Sequence, residues 1–274
     1  MTAKTALITG CSSGIGRATA EAFRDEEWTV YATARDEDDL SALDDASCET
    51  AALDVTDDQA VTAVVERVID DTGRIDCLVN NAGYGQFGPI EDVPIGLVHD
   101  QFDANVYGPH RLTRAILPHM RDRGTGTIVN VSSTAGRFAT PAKGVYAGSK
   151  FALEAMTDAL RTEVADYGID VAVVAPGPVN TDFEDRAEDE LAGLERSGAY
   201  ETFYDLLDDS RTVVEGGVGT VSPVEVAEAI VDAAVSPNPP ARYPVGPLAS
   251  LAEYARFLPA GVRNRLYSLA RRVV

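Results

Sequence analysis

The sequence predicts an α/β fold, a parallel sheet covered by helices on both faces. Three observations lead there. Apolar runs at Thr5–Thr9, Thr29–Ala34, 75–80, 127–131 and 170–175 recur without polar alternation. Runs of that kind belong to strands buried on both faces. Between them lie amphipathic stretches: Val61, Val64, Val65, Val68 and Ile69 fall at i, i+3, i+4, i+7 and i+8, one face of a helix. The 274 residues contain no linker, repeat or low-complexity tract, which suits one α/β domain with a large core. Strands alternating with helices give crossovers and a doubly wound, Rossmann-type sheet. Its ligand sits at the carboxyl ends of the strands.

The elements follow in order. The first strand ends in a glycine turn, and residues 15–25 read as its helix. The second strand ends at Ala34, and residues 51–54 read as the end of a third. A helix through Val61 to Ile69 leads to the fourth strand, and two more strands follow with helical stretches before and between them. Residues 182–215 break this rhythm: they are rich in acids, carry Phe183, Tyr200, Phe203 and Tyr204, and show no strand. They follow a strand end, where a substrate lid would sit; a solvated helical hairpin is the other reading, and the two are compatible. The run Ser236-Pro237-Asn238-Pro239-Pro240 reads as a loop. Residues 1–274 thus read as one domain, with a helical extension over 247–274.

Forty-four acidic residues against 23 basic ones give a net charge of −21. The lysines are Lys4, Lys143 and Lys150. The acids are spread among regular apolar patterns, which argues against disorder. Such a composition resembles proteins of salt-loving organisms, where concentrated salt screens the repulsion; an ordinary acidic protein is the alternative. A surface this acidic argues against nucleic-acid binding. Cys11, Cys48 and Cys77 are odd in number and lack metal-ligand spacing, which fits a reducing compartment. The sequence shows no signal peptide and no apolar run of membrane-spanning length, so a cytoplasmic location is expected. His99, His110 and His119 form no i, i+4 ligand pair and read as surface or packing residues; no metal is expected.

The turn Thr9-Gly10-Cys11-Ser12-Ser13-Gly14-Ile15-Gly16 follows the first strand. Its spacing is not G-x-G-x-x-G, but the physics is shared. Glycines admit a tight turn and close approach to a pyrophosphate, and the next helix offers free N–H groups. At the end of the second strand Ala34 stands where an acid would accept hydrogen bonds from the ribose of NAD. Arg35 follows, suited to the 2′-phosphate of NADP, and Ser13 could add a hydroxyl. Asp36 could pair with Arg35 instead. NADP(H) is therefore favoured over NAD(H). Asn80-Asn81-Ala82-Gly83 ends the fourth strand, where amides can tie loops together.

Tyr146 and Lys150 stand four residues apart on one face of a predicted helix. A nearby ammonium, together with the positive nicotinamide ring of an oxidised cofactor, favours the phenolate, so a lowered tyrosine pKa is expected, fit for proton transfer. Taken alone, Tyr-x-x-x-Lys arises by chance. Ser133 ends the fifth strand, and its hydroxyl could hold a substrate oxygen beside the phenol; a turn cap is the plainer reading. Asn105 is a poor helix former within a helical stretch, a local misfit of the kind that marks functional sites.

Thr9-Gly10-x-x-x-Gly14-x-Gly16, Asn80-Asn81-Ala82-Gly83, Asn105, Ser133, Tyr146-x-x-x-Lys150 and Pro176-Gly177 have the order and spacing of the classical short-chain dehydrogenases/reductases. The chain resembles that family over residues 4 to 245. Each motif is weak singly; jointly they are specific. Cys11-Ser12-Ser13 and the approach Val30-Tyr31-Ala32-Thr33 to Arg35-Asp36 look most like the NADP-preferring branch that includes hydroxysteroid and retinol dehydrogenases.

The resemblance implies an oxidoreductase moving a hydride between NADP(H) and a ketone, aldehyde or secondary alcohol. It makes Tyr146 the proton donor or acceptor and Ser133 the residue that positions the substrate oxygen. Lys150 would bond the nicotinamide ribose, and Asn105 would hold a water linked to Lys150. Gly10, Ser12, Ser13, Gly14, Ile15, Gly16, Arg35, Asn81, Ala82 and Gly83, with Tyr146 and Lys150, would contact the cofactor. Asp54 and Val55 resemble an adenine-pocket pair. Pro176, Gly177, Val179 and Thr181 resemble the stretch that fixes the nicotinamide carboxamide. A seven-stranded sheet would take its last strand from 242 to 245. Homodimers or homotetramers are implied, with residues 112–120 and 152–164 as candidate interface faces. An epimerase or dehydratase of the extended branch and a catalytically idle NADP-binding sensor are the rivals. Tyr84, Phe87, Phe138 and Phe183 are the expected substrate-pocket lining. The C-terminal run, with Arg256, Arg263, Arg265, Arg271 and Arg272 beside Val262, Leu266, Leu269 and Val273, reads as a basic amphipathic helix. Packing on the acidic body or a partner subunit is favoured for it over contact with an anionic membrane surface.

Overall fold

Seven parallel strands form one sheet in the order β3-β2-β1-β4-β5-β6-β7. They are β1 Thr5–Thr9, β2 Thr29–Ala34, β3 Glu49–Ala52, β4 Cys77–Asn80, β5 Gly126–Val131, β6 Ile169–Pro176 and β7 Arg242–Val245. This computed structural model describes residues 3–44, 47–207, 219–255, 257–259, 261, 262 and 265. The helices are α1 Gly14–Asp25, α2 Ser41–Asp44, α3 Asp58–Thr72, α4 Ile95–Phe102, α5 Gly108–Arg123, α6 Gly144–Val164, α7 Phe183–Ala192, α8 Pro223–Val235 and α9 Pro247–Ala255. Residues 201–207 are also helical.

Successive strand residues feed opposite layers, as the pleat requires. Ala6, Ile8, Ala32, Val79, Val129 and Val174 pack in one cluster with Phe23 of α1 and Val226 and Ile230 of α8. Leu7, Tyr31, Leu78 and Ile128 pack in the other with Val61, Val65 and Val68 of α3 and Leu112, Ile116 and Met120 of α5. Burial on both faces is why the strands read as apolar runs rather than alternating ones. It also shows which side of each candidate interface helix is core. The apolar stripe of 112–120 faces the chain's own sheet and is core. In 152–164, Leu153, Thr157 and Val164 are likewise buried, while Met156 is exposed.

The strand limits differ slightly from the sequence reading, for visible reasons. β4 begins at Cys77 because Asp76 turns its carboxylate to the Thr5 N–H at 2.8 Å and closes the strand end with a side chain. β3 ends at Ala52, and Asp54 turns back to accept from the Thr56 N–H and hydroxyl at 2.9 and 2.7 Å. Asp57 caps α3 through the Gln59 and Ala60 amides, and Gly73 ends it in the left-handed region.

Because the order reverses between β1 and β4, a crevice opens there at the carboxyl ends of the strands. A third apolar cluster lies above it. Phe87, Val145, Tyr146, Ala187, Leu191, Tyr204 and Leu207 join α6, α7 and the 201–207 helix. Residues 208–215 of the expected lid lie outside the described residues. So do Arg256, Arg263, Leu266, Leu269, Arg271, Arg272 and Val273 of the expected basic helix.

Candidate active site

The crevice is a cleft of about 970 Å³. Its lining gathers residues far apart in sequence: Gly10, Ser12, Ser13, Gly14 and Ile15 after β1, Arg35 after β2, and Asp54 and Val55 after β3. Asn81, Ala82 and Gly83 follow β4, Ser133 follows β5, and Pro176, Gly177, Val179 and Thr181 close the far side with Tyr146 and Lys150 of α6. Of the residues read from sequence, Gly16 and Asn105 stand behind the wall rather than in it. Tyr84, Phe87, Phe138 and Phe183 line the cleft as expected.

At the glycine-turn end, the Asn81 side chain donates to the Thr9 and Gly10 carbonyls at 2.9 and 3.1 Å. The Thr9 hydroxyl accepts from the Asn81 and Ala82 amides at 3.1 and 3.0 Å. These bonds lock β1 to β4 and leave the turn open toward the cleft. Gly10 has φ +74°, where other residues are strained, and a Cβ at Gly16 would stand 2.1 Å from the Gly10 carbonyl oxygen. Only glycine lets α1 begin so close to the strand. Asp54 sits in the middle of this end. Burial would raise its pKa, but the two Thr56 hydrogen bonds, helped by Arg35 and Arg111, hold it below the ordinary carboxylate value. Asp36 does not pair with Arg35; its carboxylate caps the following turn through the Asp38 N–H at 3.0 Å. Ala34 is buried at the strand end and Arg35 is exposed at the rim.

At the other end, the Tyr146 phenol and the Ser133 hydroxyl face the same cleft, and Ser133 is near enough to favour the phenolate. The Ser133 hydroxyl is oriented by the Ala135 N–H at 3.2 Å. Lys150 donates to the Val131 carbonyl at 2.9 Å, and its Nζ stands 5.9 Å from the Tyr146 ring centre. Phe87 and Phe183 flank the tyrosine at 5.8 and 5.7 Å between ring centres. Burial pushes the Tyr146 phenol up to about 12; Ser133 opposes this and Glu184 adds to it. The lowering expected from sequence counts the charge of an oxidised nicotinamide beside the ring; burial is an opposing influence on the same group. Burial between Phe87 and Phe183 outweighs Ser133, which favours the phenolate. Burial pulls Lys150 down to about 8, against the pull of Glu154.

Asn105 lies in a π-turn, Asp103–Tyr107, between α4 and α5. This is the local misfit that the sequence displays, and such turns cluster at functional sites. Its Oδ1 accepts from the Tyr84 N–H at 3.1 Å, and its Nδ2 donates to the Tyr84 carbonyl at 3.0 Å and to the Ser149 hydroxyl at 3.2 Å. Ser149 in turn donates to the Tyr146 carbonyl at 2.7 Å. Asn105 therefore joins the loop after β4 to the helix that carries Tyr146.

The sequence reading missed several residues. Glu154 follows Lys150 by one turn and is buried. Its Oε1 accepts from the Ser132 hydroxyl at 2.9 Å, and Arg137 Nε and Arg242 Nη2 each stand 2.9 Å from Oε2. Glu253 of α9 faces the same two arginines at 3.6 and 3.3 Å. The i+4 spacing from Lys150 was the available signal. Lys143 and Glu184 pair at 3.6 Å across the cleft mouth. Arg186 of α7 donates to the Ser13 hydroxyl at 3.1 Å. Among the described residues, no three His, Cys, Asp or Glu side chains group as a metal site.

A doubly wound sheet, a glycine turn leading into α1, and Ser133 beside the buried Tyr146 and Lys150 in one cleft mark an oxidoreductase. Residues 4–192 match the model of the short chain dehydrogenase family, and the chain belongs to that family. It is 34% identical to the uncharacterized oxidoreductase YbbO of Escherichia coli, over 96% of this chain and 93% of that one. It is 36% identical to human 17-beta-hydroxysteroid dehydrogenase type 1, over 86% and 76%. The crystal structure of a short-chain dehydrogenase from Streptomyces avermitilis superposes with a TM-score of 0.83 at 35% identity, covering 100% and 98%. Similar structures contain either cofactor. A metagenomic short-chain oxidoreductase is in complex with NADP (26% identity, TM-score 0.68, 87% and 95% covered), and a Burkholderia phymatum relative is in complex with NAD (25%, 0.76, 88% and 88%).

Proposed function

We propose that this chain reduces a ketone or aldehyde, or oxidises the matching secondary alcohol, with NADP(H), and that Tyr146 carries the proton. The observation that carries the reading is the Ser133–Tyr146–Lys150 group in the same cleft as the open glycine turn. The residues present fit a dinucleotide: the glycine turn lines the cleft at the N-terminus of α1, and Ser13 at that N-cap makes no side-chain cap bond. Gly10, Ser12, Ser13, Gly14 and Ile15 would hold the pyrophosphate with the N-terminus of α1. Asp54 and Val55 would line the adenine, and Asn81, Ala82, Gly83, Pro176, Gly177, Val179 and Thr181 the nicotinamide side. When bound, the cofactor gives or takes the hydride. Ala34 and Arg35 support NADP over NAD, since β2 ends without the acid a free ribose would need.

The protein's own residues handle the proton. With Tyr146 up to about 12 and Lys150 at about 8, the pair stands as phenol and ammonium at neutral pH. That state can donate a proton to an oxygen gaining charge, the step that carbonyl reduction requires. Ser133 holds the substrate oxygen against the phenol, and Lys150 stabilises the phenolate left behind and would bond the nicotinamide ribose. Asn105 keeps Tyr146 and the Tyr84 loop in register. Phe87, Phe138, Phe183 and Tyr84 favour an apolar carbonyl compound, in keeping with the name of the hydroxysteroid relative. We read residues 182–215 as the lid of that pocket and the chain as a cytoplasmic homo-oligomer. Among the described residues no helix is long and apolar enough to cross a membrane.

The test is oxidation of NADPH, and of NADH in parallel, at high potassium chloride over a panel of apolar ketones and aldehydes. Turnover with NADPH that drops by about 10²–10⁴-fold in Tyr146→Phe is the expected outcome. Equal turnover in the variant would overturn the assignment of the proton carrier. Tight NADPH binding with no turnover on any panel member would favour the idle sensor.

A further inference from the structure

The helix over the cleft carries charge of the wrong sign for a dinucleotide site. α7 holds Glu184, Asp185, Glu188, Asp189 and Glu190, and Asp189 and Glu190 line the cleft itself. A phosphate-bearing ligand beneath those carboxylates is repelled. Arg186 is the single cation of that helix, and it reaches across the cleft to the Ser13 hydroxyl at 3.1 Å, a contact between residues 173 apart in sequence. Ser13 stands at the N-cap of α1, yet its side chain makes no cap bond, so the hydroxyl is turned outward to the arginine. The guanidinium therefore hangs over the end of α1, where free N–H groups and the positive dipole end attract anions. A neutral hydroxyl uses one of its five N–H donors, and its planar fork matches phosphoryl oxygens.

Phe183 lies one turn earlier on the same helix and flanks both Tyr146, at 5.7 Å, and Phe87, at 6.4 Å. What holds Arg186 thus also sets the aromatic wall beside the phenol. We propose that Arg186 is a phosphate ligand carried by α7, and that its engagement couples dinucleotide binding to the placement of Phe183 against Tyr146. This rests on the dinucleotide reading above. The phosphoryl group is either the pyrophosphate or the 2′-phosphate.

Arg186→Ala and Arg186→Lys in the full chain test it, by titrating NADPH and NADH and following nucleotide fluorescence. Arg186 is exposed, and equal melting temperatures without nucleotide check that the variants are folded. The alanine variant should bind at least about tenfold more weakly, with partial recovery in the lysine variant, as expected for a lost charge-assisted bond. Loss for both nucleotides assigns the pyrophosphate; loss for NADPH alone assigns the 2′-phosphate. At saturating NADPH the alanine variant should show a raised KM for the carbonyl substrate, with a smaller change in kcat. Binding of both nucleotides within twofold of the parent overturns the phosphate role, and an unchanged carbonyl KM overturns the coupling. If the parent itself binds neither nucleotide, the dinucleotide reading falls, and this proposal with it.

Discussion

The two walls of the cleft are built differently. On the sheet side, polar groups of the site are tied to strand backbone or to a buried partner: Asn81 to Thr9 and Gly10, Lys150 to Val131, and Ser132 to Glu154, which meets Arg137 and Arg242. On the helix side, α7 is held by side-chain ties, Lys143 to Glu184 and Arg186 to Ser13, and by the apolar cluster with Phe87 and Tyr204. Proton chemistry needs positions fixed within fractions of an ångström, which regular elements provide. A wall that admits substrate must open, and weak ties permit that. The comparison predicts that truncations on the sheet side cost far more than those on the helix side.

The largest effect is expected at Glu154. Removing one partner of a buried ion network leaves uncompensated charge, worth about 3–5 kcal/mol. Arg137 and Arg242 would retain the more distant Glu253, and Arg242 also Asp158 at 3.9 Å. Glu154→Ala should therefore lower the melting temperature by roughly 10 °C, and Glu154→Gln by less. A drop below about 2 °C in thermal denaturation would break the comparison, because the sheet-side wall would then be no firmer than the other.

Arg35 sharpens it from the rim of the same wall. The residue is exposed, so its value lies in the ligand rather than in the fold. Arg35→Ala should weaken NADPH binding about 10–100-fold, the worth of a charge-assisted bond, and leave NADH binding and the melting temperature unchanged. Isothermal titration with both nucleotides checks this. Equal losses for the two would mean that Arg35 does not read the 2′-phosphate.

The features that could be read from sequence are those fixed by local spacing. The strands showed themselves because both faces are buried, the glycine turn because only glycine fits there, and Tyr146 with Lys150 because one helical turn separates them. Contacts that cross the fold left no local trace. Arg242 meets Glu154 from 88 residues away, Arg186 meets Ser13 from 173 away, and Asn105 binds the Tyr84 backbone rather than a helical neighbour. Leu112, Ile116 and Met120 formed a stripe whose destination, sheet or partner, periodicity cannot specify. The burial that pushes Tyr146 upward escaped for the same reason. It depends on Phe87 and Phe183 closing over the ring, from segments remote in sequence.

The pH dependence follows from the two shifted groups on the sheet side. Lys150 keeps its ammonium below about 8, and Tyr146 keeps its proton to about 12. Carbonyl reduction should hold through neutral pH and fall about tenfold per unit once Lys150 loses its proton, with Glu154 the neighbouring charge that sustains it. Stability through this group runs the other way. The unfolded lysine, at its ordinary 10.5, binds more protons than the folded one between about 8 and 10.5, so this group makes the fold more stable as pH rises there. Activity lost near pH 8–9 with an undiminished melting temperature would be the mark of Lys150. Loss of both together would point to unfolding instead.

The smallest effect is expected at Lys143, where the helix-side wall meets the start of α6. Its ammonium stands 3.6 Å from Glu184 and 4.2 Å from the Phe87 ring centre, at a partly exposed cleft mouth. Exposed pairs of this kind are worth about 0–1 kcal/mol, and the ring contact adds about 0.5–1. Lys143→Ala should thus shift the melting temperature by no more than roughly 4–8 °C. Its kinetic mark should be a changed KM for the carbonyl substrate with kcat kept, since Tyr146, Ser133 and Lys150 are anchored elsewhere. A steady-state comparison that instead showed kcat collapsing would tie the helix wall to the proton transfer itself, and the division between a firm wall and a yielding one would no longer hold.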